Sequence, residues 1–191
     1  MQRWFSSDLH LSHGNIIKYQ KRPFNDIREM DDAIRTYHNE DVKPEDHWSC
    51  LGDVTIRRGG RLDKEWFCRF IRSMHGHKRL YLGNHDHFPI QTYIDAGFEK
   101  IYGTWRDDKG VLFSHIPIHP SSFGSARANV HGHIHGNPDY PPHTVTDKDG
   151  RVVTKPYVNL SVEVTGYRPV HYDALLQMIE RRKGQRDGVR T

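Results

Sequence analysis

Three short apolar segments of this chain end alike. Residues 3–7 run into Asp8, His10, Ser12 and His13, residues 47–51 into Gly52-Asp53, and residues 79–82 into Gly83-Asn84-His85-Asp86. Each reads as a strand that delivers a small residue and then a carboxylate, amide or imidazole at its carboxyl end. Open α/β folds build their sites along that edge. Repetition at three successive strands is hard to reach by accident, and it constrains the chain to an α/β fold with one site fed from several strand ends.

The intervening sequence supplies the helices such a fold needs. Ile16, Ile17 and Tyr19 fit a brief helix stopped before Pro23. Asn25 or Asp26 is placed to cap a helix that carries Ile27, Met30, Ile34 and Tyr37 on one face and ends before Pro44. Asp63 caps a third, in which Trp66, Phe67, Phe70, Ile71 and Met74 recur at core spacing, so its aromatics read as packing groups rather than a cofactor box. Pro89 opens a helix that Gly97 closes. After residue 97 the period changes to two. Residues 98–105, 111–114, 128–131, 152–154 and 157–161 read as strands, with Asp107-Asp108-Lys109-Gly110 and Asp147-Lys148-Asp149-Gly150 as hairpin turns. A last helix, Tyr172 to about Arg182, packs Leu175, Leu176 and Ile179.

At 191 residues the chain is long enough for one well-buried core and short for two. The expectation is a single domain over residues 1–183 with a flexible basic tail over 184–191. A hydrophobic fraction of 35% makes that core modest and the surface polar. The sequence has no apolar run of about eighteen residues and no hydrophobic leader after Met1, so a soluble, cytoplasmic protein without a membrane partner is expected. Cys50 and Cys68 lack the Cys-x-x-Cys spacing of zinc or redox motifs and read as small buried hydrophobes. A net charge of +4 and a pI near 9.1 suit an anionic ligand without arguing by themselves for nucleic acid.

Gly132-His133-Ile134-His135-Gly136 adds a metal signal. Neutral imidazole is the commonest nitrogen ligand, and glycine lets backbone crowd a site. Among fifteen histidines a chance His-x-His is cheap, so the pair takes its meaning from partners elsewhere. The strand ends supply them: Asp8, His10, Asp53, Asn84, His85 and His115 join His133 and His135. The set is oxygen and imidazole with no thiolate, which suits Mn, Fe, Zn or Co and argues against a structural zinc held by cysteine. It is also more than one ion can take. Two ions about 3.5–4 Å apart need a bridging ligand, for which Asp53 is the natural carboxylate.

Asp8-Leu9-His10, Gly52-Asp53, Gly83-Asn84-His85-Asp86, His115 and Gly132-His133-Ile134-His135 occur in that order, and together they resemble the five motifs of calcineurin-like metallophosphoesterases over residues 3 to about 179. The opening Phe5-Ser6-Ser7-Asp8-Leu9-His10 and the closing Asn159-Leu160-Ser161-Val162 are similar to small bacterial and phage-type members. The resemblance implies a four-layer α/β/β/α sandwich of two mixed sheets flanked by helices. It implies two divalent ions, manganese foremost, with iron, zinc, cobalt or nickel as alternatives. Asp8, His10, Asp53 and His135 would hold the first ion, and Asp53, Asn84, His115 and His133 the second. His85 would be the catalytic histidine. The implied activity is hydrolysis of phosphate esters by metal-bound hydroxide. Phosphodiesters are favoured over monoesters, and because no large insertion forms a lid or deep specificity pocket, an open site reached by nucleotides or phosphodiesters is expected, with a phosphorylated small molecule or nucleotide-type substrate.

Several residues around this set carry two readings each. Arg57, four residues past Asp53, is either a phosphate grip or a solvated loop arginine, and His13 is either a substrate contact or a helix-start histidine facing solvent. Asp86 either orients His85 or caps the helix at Pro89, and His119 and His131 sit near enough to support the cluster. Arg181-Arg182-Lys183 with Arg186 and Arg190 would suit a nuclease or nucleic-acid processor, although a basic helix end is better explained by the helix dipole. A non-catalytic scaffold on the same fold, as in the retromer subunit, is disfavoured by His85 standing beside seven candidate ligands.

Overall fold

Asp26 accepts the Glu29 N–H at 2.9 Å and starts α2 (Ile27–Asp41), and Asp63 accepts the Glu65 N–H at 2.8 Å and starts α3 (Lys64–Ser73). Both caps satisfy donors that a helix start leaves orphaned. The computed structural model describes residues 1–56, 63–138, 143–146 and 149–184. Arg57, Arg58, Arg186, Arg190 and the Asp147-Lys148 half of the second turn lie outside the described residues.

Two mixed sheets form the frame. In the first, β1 (Arg3–Ser6), β2 (His47–Cys50), β3 (His77–Tyr81) and β4 (Phe98–Tyr102) are parallel neighbours, and β11 (Val170–His171) pairs antiparallel with β1. The chain returns between these strands through α1 (Gly14–Tyr19), α2, α3 and α4 (Ile90–Asp95). In the second sheet β10 (Tyr157–Asn159), β7 (Ala128–His131) and β6 (Val111–Ser114) are parallel, and β5 (Thr104–Arg106) lies antiparallel at the edge. β8 (His143–Thr146) and β9 (Val152–Lys155) make a separate hairpin.

Alternation along the first sheet buries both faces, as parallel sheets require. Trp48, Cys50, Leu80 and Phe98 pack against the helices with Met30, Ile34, Phe67 and Ile71. Phe5, Leu51 and Tyr81 face the other way and meet Val111, Phe113, Val130 and Val158 of the second sheet. Helix α6 (Tyr172–Gly184) inserts Leu175 and Ile179 into this inter-sheet core beside β1, β10 and β11. Cys50 and Cys68 are free and buried, as packing hydrophobes are. Among the described residues no helix is long and apolar enough to cross a membrane.

Residues 98–105, expected as one strand, are two. β4 closes the first sheet and β5 edges the second, so the chain changes sheets at Gly103. Alternation continues through both halves and does not mark the break. The short elements β8, β11 and α5 (Val162–Thr165) were not anticipated, and α6 runs on to Gly184 where the basic tail was expected to begin.

Candidate metal centre

Parallel strands point their carboxyl ends the same way, so β1, β2 and β3 bring Asp8, His10, Asp53 and Asn84 to one rim. β6 and β7 bring His115, His133 and His135 there from the second sheet. Ligand atoms gather in two groups whose members lie within 4.8 Å of one another: Asp8, His10 and His135 form one, and Asp53, His115 and His133 form the other.

The backbone is bent to make this possible. Asp8, His10, Asp53, His133 and His135 all take positive φ, between 51° and 72°. Left-handed geometry costs an ordinary residue on the order of 1 kcal/mol or more and persists only where surrounding structure over-determines it. Here the loop after β1 runs alongside the loop after β2: Asp8 N–H donates to Gly52 O at 3.0 Å, His10 N–H to Asp53 O at 2.9 Å and Leu11 N–H to Val54 O at 2.9 Å. Gly132 is required for a different reason, because a Cβ there would overlap Ser7 Oγ and Asp8 Oδ2.

Each carboxylate is oriented by donors. Asp8 is fully buried; it accepts the His133 N–H at 2.9 and 3.1 Å and the Ser161 hydroxyl at 3.0 Å. Asp53 Oδ1 accepts the His85 N–H at 2.9 Å, leaving Oδ2 3.6 Å from His10 Nε2 and 3.4 Å from His115 Nε2. Asp86 accepts N–H groups of Gly83, Asp53 and Val54 at 2.8–3.1 Å, tying the end of β3 to the end of β2. It therefore braces the backbone of Asp53, which corrects both readings of Asp86: its carboxylate takes main-chain donors of nearby Gly83 and distant Asp53 and Val54, not the His85 ring or the start of the helix after Pro89.

The imidazoles are similarly set. His115 Nδ1 lies 2.8 Å from Leu51 O and His135 Nδ1 lies 3.1 Å from Glu163 Oε1, which puts Nε2 of each toward the cluster. His10 is 1% exposed, and among the described residues neither ring nitrogen has a hydrogen-bond partner. Burial drives the His10 pKa down to about 2, so it is held as a neutral ligand. Burial opposes charge at His115 and Asp53 as well, yet their mutual attraction prevails, raising His115 to about 9 and holding Asp53 at about 2. Asn84 Oδ1 also lies 2.9 Å from His115 Nε2. Two acceptor oxygens, Asp53 Oδ2 and Asn84 Oδ1, thus converge on His115 Nε2. Such a donor set, with orphaned imidazole nitrogens and no thiolate, fits divalent cations.

His85 and His13 stand at the margin, each ring 5.5 Å from that of His10. His119 does not reach the cluster; it is exposed and pairs with Ser121. His131 is buried behind it, 2.8 Å from Gly132 O. Of the basic groups ending α6, Arg182 donates to Tyr157 O and Lys183 pairs with Glu180.

Two residues were missed in the sequence. Buried Arg22 donates to Asp8 O and Leu9 O at 2.8 Å and to Glu163, which in turn holds His135. Neither falls in a local pattern. Only the adjoining Asn159-Leu160-Ser161-Val162 motif hinted that the start of α5 approaches the site.

A mixed α/β fold whose two sheets deliver carboxylates and imidazoles to one rim has the form of a calcineurin-like metallophosphoesterase, and in fold and motif order the chain resembles that superfamily. Among particular proteins, it is similar to an uncharacterized protein of Methanocaldococcus jannaschii, 28% identical over 179 residues that cover 93% of this chain and 90% of that one. The crystal structure of a protein of unknown function from Aquifex aeolicus superposes with a TM-score of 0.66 at 26% identity, covering 93% of this chain and 99% of the other. A novel archaeal phosphodiesterase aligns over 83% of this chain and 84% of its own at a TM-score of 0.42 and 16% identity, too distant to carry its activity across. No family model matches the chain.

Proposed function

We propose that this protein is a phosphoesterase working with two divalent cations, manganese foremost, on phosphodiesters ahead of phosphomonoesters. The observation that carries the reading is the place of Asp53 Oδ2, which stands 3.6 Å from a nitrogen of one ligand group and 3.4 Å from a nitrogen of the other. One carboxylate oxygen common to both groups is what a bridged pair requires. Asp8, His10, Asp53 and His135 would hold the first cation, and Asp53, Asn84, His115 and His133 the second.

When bound, the cations supply Lewis acidity and an activated water at neutral pH. The side chains do the rest. His85 belongs to neither ligand group, and its main-chain N–H is fixed to the bridging carboxylate at 2.9 Å. Its ring, 5.5 Å from that of His10, would give a proton to the leaving oxygen, a role worth about 10² to 10⁴ in rate. Buried Asp8, His10 and Asp53 form a floor closed to bulk water, while exposed His133 leaves the opposite side open to an ester.

The test is hydrolysis of bis(p-nitrophenyl) phosphate and p-nitrophenyl phosphate by protein loaded with Mn, Fe, Zn, Co or Ni. Turnover of the diester that Asp53→Asn abolishes is expected, with His85→Asn lowering kcat at least about 10²-fold while retaining metal. Failure with every metal on both esters would refute the reading.

A further inference from the structure

A cavity of about 470 Å³ is walled by Ser12, Arg28, Asp31, Arg35, Trp66 and Phe70 among others. Its position follows from the topology. β1, β2 and β3 run parallel, so α2 and α3, which return the chain between them, begin on the rim where the strands end. Arg28 and Asp31 lie in the first turns of α2, and Trp66 in the first turn of α3. Ser12 is two residues past His10, so the Cα atoms of the two lie within about 7 Å of each other. The volume falls in the range of small-molecule sites, about 300–1,000 Å³.

The lining has specific chemistry. Trp66 and Phe70 stack with ring centroids 4.9 Å apart. Phe70 is buried in the core beside Phe67 and Ile71, as helical spacing implied, while Trp66 packs against that core only half-buried and keeps part of its ring exposed. Both oxygens of Asp31 take the one Ser12 N–H at 3.1 Å, which leaves lone pairs unspent. Arg35 is committed to Asp32 at 2.8 Å and lies over the Phe70 ring. Exposed Arg28 has no carboxylate partner among the described residues.

We propose that this cavity is a nucleobase subsite, which holds the base of a nucleotide ester whose phosphate lies at the metal-ligand cluster. The inference rests on the phosphoesterase reading and names its substrate class. Every base has a π-face to lay on Trp66. Amino groups on the edges of adenine, guanine or cytosine match the acceptor capacity of Asp31, and Arg28 matches an adjoining phosphate. A simple aryl ester offers the ring without the amino edge or the second anion.

The experiment compares a 5′-phosphorylated 3′,5′-linked dinucleotide, which carries a second phosphate beside the scissile diester, with bis(p-nitrophenyl) phosphate on Mn-loaded full-length wild type, Trp66→Ala and Arg28→Ala. The expected result is a loss in kcat/KM on the dinucleotide that exceeds the loss on the aryl diester by about tenfold, carried mainly by KM, with Trp66→Phe restoring most of it. Equal losses on both esters, or none on the dinucleotide, overturn the subsite. Binding of AMP to protein without added metal supplies a second readout independent of turnover. Quenching of tryptophan fluorescence in wild type that Trp66→Phe removes supports the proposal; no AMP binding by wild type overturns it even if aryl esters are hydrolysed. Failure of wild type on both diesters with AMP still bound counts instead against the phosphoesterase reading alone.

Discussion

Glu163 Oε1 lies 3.1 Å from His135 Nδ1 and accepts two hydrogen bonds from Arg22, at 2.6 and 2.9 Å. One buried carboxylate therefore fixes an imidazole of the candidate ligand cluster and pairs a guanidinium that also grips the Asp8 carbonyl at 2.8 Å. Burial works against ionisation of Glu163, but His135 and Arg22 hold its pKa below the usual glutamate value. The two ligand groups consequently differ in backing: His135 leans on a charged carboxylate, His115 on the neutral Leu51 carbonyl.

Glu163→Gln keeps the shape and removes the charge. Mn affinity at the Asp8, His10 and His135 group is expected to fall about 10- to 100-fold, with the Asp53, His115 and His133 group affected far less. Isothermal titration reads two binding steps, and only one should weaken. Loss of the charge that pairs buried Arg22 also lowers the melting temperature. Two unshifted binding steps would remove Glu163 from its orienting role.

His133 and His135 are two residues apart in sequence yet fall in different ligand groups. Positive φ at both, 72° and 53°, turns their side chains to separate partners. His133→Ala and His135→Ala should each reduce metal content from about two ions per chain to about one, and each should empty a different site. Metal analysis gives the stoichiometry, and the double variant with Glu163→Gln identifies the site. That change adds little to His135→Ala and weakens the remaining step in His133→Ala. The same ion leaving both single variants would sink the division.

Much of this centre was legible because most of the candidate ligands follow a strand and a small residue, and strands write themselves at period two. Gly52, Gly83 and Gly132 marked the crowded turns where ligands emerge. What stayed hidden was contact across distance. Arg22 and Glu163 meet over 141 residues, and nothing near either names the other. Asp86 had two local explanations in sequence, while its carboxylate actually serves backbone more than thirty residues away. The break at Gly103 was unreadable for a related reason: alternation reports that a segment is strand, not which sheet pairs with it.

His38 stands far along α2 from the cluster, 1% exposed, its Nε2 3.0 Å from His75 O and its ring edge-on to Trp48. Burial pushes its pKa down from 6.5 to about 4. The folded state then holds His38 neutral where the unfolded chain protonates it, so stability is full above pH 6.5 and falls as pH drops toward 4. The drop should amount to on the order of 3 kcal/mol across that window. Urea unfolding at pH 7 and pH 4.5 measures it, and His38→Gln, which retains a donor for the His75 carbonyl, should flatten the dependence. An unchanged pH profile in that variant would assign the acid sensitivity elsewhere.

Asp86 offers the sharpest separation of bracing from ligation. It touches no candidate ligand through a side chain, yet it takes the N–H groups of Gly83, Asp53 and Val54. Burial raises its pKa to about 6, so at pH 7.5 it is a carboxylate holding three donors. Asp86→Ala strands those donors, each loss costing about 1–3 kcal/mol, and frees the loop that positions Asp53, the proposed bridge. The variant should lose stability by several kcal/mol and weaken both metal-binding steps together, in contrast to the one-sided effect of Glu163→Gln. Asp86→Asn keeps an acceptor oxygen and should recover part of each. If Asp86→Ala melted normally and lost only one step, Asp53 would not be the residue that joins the two groups.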